Sequence, residues 1–133
     1  MPVQPCTPCV SAPQRTQGLK APAPRGEHVL VTLKGPGVFL SASVTKQGGA
    51  TGMSFVSLDI DGRNVTNASY AAIGNWALTQ HNPYGVVLLK TRAIQNFTIG
   101  FPTPLRFDKE LKLSVKVDED GIAQILANVI HGK

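Results

Sequence analysis

Cys6-Thr7-Pro8-Cys9 is the first place in this chain where residue types and spacing could do chemistry, because two thiols two residues apart make a redox pair or half of a metal site. A redox dithiol needs a helix N-terminus inside a βαβ frame to lower its thiol pKa, and Pro5 and Pro8 leave no helix here. Structural zinc needs four ligands. The other nitrogen ligands, His28, His81 and His131, are scattered along the chain. Three readings stay open: free thiols, a disulfide within or between chains, and a metal pair completed by another subunit. None of them makes an enzyme, and no metal or cofactor is assigned.

The carboxylates carry little more. Asp59-Ile60-Asp61-Gly62-Arg63-Asn64 starts like a calcium loop, but the twelfth position, which must supply a bidentate acid, is Tyr70. A hairpin turn at Asp61-Gly62 is the better reading, since both residues tolerate positive φ. Asp118-Glu119-Asp120 reads as a solvated turn whose charge discourages strand-edge association. No Gly-x-Ser-x-Gly elbow occurs, and the acids sit at turn tips or alternate with lysines, where nothing raises a pKa. No catalytic residue is assigned and no enzyme is expected. Three sequons, at Asn64, Asn67 and Asn96, are read as chance in a Thr- and Ser-rich strand protein.

Aromatic residues offer one ligand surface. Tyr70, Trp76 and Tyr84, with His81 nearby, bring flat rings and polar groups that suit sugar faces and hydroxyls. The competing reading is that Trp76 caps the core, as a highly buried residue type does. A glycan is thus the alternative ligand.

Composition excludes other classes. The formal charge is +5, yet Arg15, Lys20 and Arg25 all precede the first acid, Glu27, and beyond it the signs nearly balance. Lys109, Lys112 and Lys116 are interleaved with Asp108, Glu110 and Asp118, so the basic stripe of a nucleic-acid binder is missing. No apolar run has the roughly 18 residues of a membrane span. The leader has no basic region followed by an apolar one, which leaves a cytoplasmic protein or, for a viral one, a virion component.

These residues must be positioned by strands. Six of the ten prolines fall in residues 1–24, so residues 1–26 read as an extended or disordered arm whose removal should leave folding unchanged. Residues 27–133 read as one β-sandwich domain, antiparallel and eight-stranded. Predicted strands are His28–Lys34, Val38–Lys46, Ser54–Asp61, Asn64–Tyr70, Val86–Leu89 with Phe97–Phe101 next, and a long terminal hairpin of Leu111–Val117 and Ile122–Ile130. Residues 71–84 are less regular and could hold a short helical turn or a further strand, with a strand near Trp76–Gln80 preferred. Pro102 and Pro104 should end ladder pairing after Phe101. Eight short strands with regular turns indicate a jelly roll.

The stretch Pro104-Leu105-Arg106-Phe107-Asp108-Lys109-Glu110-Leu111-Lys112-Leu113-Ser114-Val115-Lys116-Val117 resembles the closing hairpin of small phage and virus structural jelly rolls. The resemblance implies a virion or tail component and carries over no functional residue. Ile122, Ile125, Leu126, Val129 and Ile130 give the last strand apolar residues of both parities, which marks Ile122, Leu126 and Ile130 as a candidate subunit interface. The expectation is a non-enzymatic assembly protein whose partners are copies of itself and other virion proteins, with a small carbohydrate-binding module as the alternative.

Overall fold

A computed structural model of the protein describes residues 11–49, 51–75, 86–91 and 94–133. In chain order the elements are β1 (Gln14–Lys20), β2 (Gly26–Lys34), β3 (Gly37–Gly48), β4 (Ser54–Ile60), β5 (Arg63–Ser69), the short helix α1 (Tyr70–Asn75), β6 (Val86–Thr91), β7 (Ile94–Phe107), β8 (Glu110–Val117) and β9 (Ile122–Gly132). They form two antiparallel sheets packed as a sandwich. One is five-stranded in the order β1-β9-β3-β7-β6, and the other four-stranded in the order β2-β8-β4-β5.

Alternation of apolar and polar residues builds the core, because successive side chains of a strand point to opposite faces. Val56, Leu58 and Ile60 on β4 and Leu111, Leu113, Val115 and Val117 on β8 face Phe39, Ala42 and Val44 on β3 and Ile125, Ala127 and Val129 on β9. Phe97, Ile99 and Phe107 complete it from β7.

Three expectations change. Gln14–Lys20, assigned to the arm, is a strand paired with β9 from Gln14↔His131 to Lys20↔Ile125. It is admitted by Gly18, whose missing side chain lets β1 lie directly on the Leu30 carbonyl of β2. The terminal hairpin is not a hairpin: β8 pairs with β2 and β4, whereas β9 pairs with β1 and β3, so residues 118–121 arch from one sheet to the other. Finally, β7 continues past its prolines. Ser41 pairs with Gly100 and Phe39 with Leu105, so residues 101–104 bulge out of the ladder and the donors that proline lacks are spent there. The expected strand Trp76–Gln80 lies outside the described residues, which together contain nine strands.

Candidate interaction surface

The largest departure from the sequence reading lies beneath the arch. Of Asp118-Glu119-Asp120, only the outer two are solvated, and both pair with Arg25, at 3.0 Å and 2.9 Å. Glu119 turns inward, where Lys46 Nζ donates to its Oε2 at 3.0 Å; the two side chains are 0% and 2% exposed. Ser54 Oγ donates to the same oxygen at 2.8 Å, and the backbone N–H groups of Thr51 and Gly52 donate to Oε1. Burial pushes the Glu119 pKa up, but the hydrogen bonds from Lys46 and Ser54, the lysine charge and the Thr51 amide outweigh it, and the carboxyl is held below its ordinary range.

Gly49 closes over this pair: its φ is +96°, and a Cβ there would strike the Glu119 carboxylate. Lys46 Nζ also stands 4.9 Å from the centre of the Tyr70 ring, a cation–π contact. No substrate reaches such a cluster. It ties β3, the 51–54 segment and the arch together, which is a structural task. Sequence reasoning missed it because a Lys at the end of an apolar strand and a Glu in an acidic turn both look solvated.

Tyr70, taken as part of a ligand surface, is instead 1% exposed. Its hydroxyl donates to the Val44 carbonyl at 2.7 Å, its ring stands edge-on to Phe97, and burial, with the Glu119 charge, raises its pKa. It therefore offers no exposed face to a sugar. Trp76, His81 and Tyr84, like Cys6 and Cys9, lie outside the described residues. His131 is buried with its Nε2 2.7 Å from Thr16 Oγ1, and burial lowers its pKa.

The candidate interface residues share one parity but not one face, because the β3-β9 register shifts between Gln47 and Gly48, opposite residues 122–124. Ile122 is buried in the core. Leu126 and Ile130 alternate with the buried Ile125, Ala127, Val129 and His131, so they face outward from the five-stranded sheet and are half-buried. The strand β9 is not an edge; it is covered by β1 on one side and β3 on the other. What it presents outward is an apolar row interrupted once: Leu126 sits opposite Leu19 of β1, which is 61% exposed, Asn128 opposite Gln17, and Ile130 opposite Arg15. Across β3 and β7 the same face turns polar, with Ser43 opposite both Asn128 and Thr98. Buried within it, the Asn128 Oδ1 finds no hydrogen-bond partner. Apolar side chains set among hydroxyls and amides, with Arg15 at one end, have the anatomy of a protein contact surface.

No family model matches this chain, and no curated protein matches it either.

Proposed function

We propose that the protein is a non-enzymatic assembly module that associates with copies of itself through the outer face of its five-stranded sheet, as a component of a phage or virus particle. The observation that carries the reading is the outward pair Leu19 and Leu126, aligned in register at the β1-β9 ladder with Leu19 mostly exposed.

The strand order supports a jelly roll as the finer fold. With β6 set aside as an added edge strand, the first strand pairs with the last (β1-β9), then β2 with β8, β3 with β7, and β4 with β5. Successive strands β1 to β4 also alternate between the sheets. This is the nested pairing of one long hairpin rolled up, an architecture that serves capsid and lectin domains alike. Fold alone does not choose between those uses; the apolar row favours the first. The proline-rich residues 1–10, which enter at Ser11 beside Lys133, add a segment suited to reaching a neighbour.

The test is the solution mass of the full chain by light scattering at micromolar concentration. A multiple of 14.1 kDa supports self-assembly, and a sharply monomeric mass removes it.

A further inference from the structure

The opposite face of the sandwich carries a groove that the assembly reading does not use. Three outward-facing rows cross the four-stranded sheet. The first is Glu27, Lys116 and Phe55; the second is Val29, Ser114, Ser57 and Asn67, with the exposed Val29 at its β2 end; the third is Thr32, Lys112, Asp59 and Asn64. Long side chains therefore flank a middle row of short ones, and the difference in length cuts a trough across the strands. Its volume is about 300 Å³, lined by Glu27, Phe55, Ser57, Asn67, Ser114 and Lys116. That is at the lower end of ligand clefts, about 300–1,000 Å³.

The groups in the trough are organised. Ser114 forms the floor at 3% exposure although it points outward. Ser57 Oγ accepts from Asn64 Nδ2 at 2.8 Å, an amide that also reaches Asp59 Oδ1 and the Thr66 carbonyl, so the Ser57 O–H is left to donate to a ligand. Asn67 stands exposed opposite Ser57 with both amide donors and acceptor. Among the described residues, Glu27 and Lys116 are register partners that form no ion pair within 4 Å, and their opposite charges leave the trough nearly neutral. Phe55 supplies one half-buried ring at the side.

We infer that this trough is a binding site for a neutral saccharide, one sugar ring laid against Phe55 with its hydroxyls on Ser57, Asn67 and Ser114. A fully apolar ligand would strand the two serines and the amide without partners. An anion would meet Glu27 as well as Lys116. A pyranose has what the trough complements: an apolar face for the ring and closely spaced hydroxyls that both donate and accept. The site is separate from the outer face of the other sheet.

The experiment is a titration of isotopically labelled full-length protein with glucose, galactose, mannose, N-acetylglucosamine, maltose and cellobiose, followed by amide shifts, with inorganic phosphate as a separate arm. At least one sugar should give saturable shifts confined to residues 27, 55–57, 67 and 114–116. Phe55→Ala and Asn67→Ala should each weaken that sugar about tenfold, the loss of one stacking or hydrogen-bonding contact, while Lys112→Ala in the neighbouring row leaves it unchanged. Unperturbed amides outside the trough show that both variants remain folded. No saturable shift with any of the six sugars, shifts that map elsewhere, or a response to phosphate alone would each overturn the inference.

Discussion

Lys46 on β3 and Glu119 in the arch that carries the chain between sheets meet at 3.0 Å with both side chains sealed from water, 73 residues apart in sequence. The contact converts a turn of three acids into a joint. Asp118 and Asp120 bind Arg25 outside while Glu119 receives the amine, a hydroxyl and two backbone amides inside. Exposed pairs such as those of Arg25 contribute little. The buried pair is different in kind, since removing one partner leaves the other charge uncompensated.

Lys46→Met should therefore destabilise the fold by about 3–5 kcal/mol, the cost of stranding a buried charge. Lys46→Met combined with Glu119→Leu should recover much of that loss. Urea denaturation of Lys46→Met, Glu119→Leu and the double variant checks this, and a double variant as unstable as the sum of its singles would show that the pair is not coupled.

Acid should unfold the protein through the same residue. The Glu119 pKa is lower in the folded state than in the unfolded chain, so its contribution is fully present above the ordinary Glu value of about 4.3 and is lost as pH falls through the folded value. Asp61, whose carboxylate accepts from the amides of Asp108, Glu110 and Lys109, and Asp120, held by Arg25, shift in the same direction and add to the fall. In the Lys46→Met and Glu119→Leu double variant the drop in stability below that pH should be shallower than in the wild type, by thermal melts in an acid series.

His131 acts in a higher window. Burial depresses its pKa, so the folded state binds a proton less readily than the unfolded chain does. Its share of stability is complete above the unfolded value of about 6.5 and is lost as pH falls from there through the folded value. His131→Gln should flatten the melting temperature between about pH 7 and 5; an unchanged slope would show that the histidine does not titrate with folding.

The β1 strand belongs to the fold, and two truncations show it. Removing residues 1–10 should leave the cooperative melt in place, while removing residues 1–24 strips β1 from β9 and should lower the melting temperature or abolish the transition. Gly18→Val should act like the longer truncation, because a side chain there collides with the Leu30 carbonyl and lifts β1 from β2. An unaltered melt for the longer truncation would make β1 dispensable.

Much of the sandwich was legible in period-two alternation. Val56, Leu58 and Ile60, and Leu111 through Val117, declare both their strands and their buried face. Long-range pairing was not legible, since the acidic Gly-ended turn 118–121 fits a hairpin and an inter-sheet arch equally well. The difference is made by Glu119 finding Lys46, a contact without a local signature. Gln14–Lys20 was missed because it is polar and flanked by prolines; its place comes from register against the apolar β9, not from its own propensity. Of the proposed surface residues, Leu126 and Ile130 were singled out by the apolar character of the last strand, which did not separate them from the buried Ile122, whereas their companion Leu19 lay in a segment that composition marked as an arm.

The central claim, self-association through the outer face of the five-stranded sheet, is tested most directly by the solution masses of Leu19→Asp and Val65→Asp measured beside the wild type. Both side chains are exposed, at 61% and 41%, so neither change should unfold the chain, but they lie on different sheets. The account predicts a wild-type mass that is a multiple of 14.1 kDa, the same mass for Val65→Asp, and a shift to the monomer for Leu19→Asp. A wild-type monomer, or a Leu19→Asp variant that keeps the oligomer intact, would contradict it.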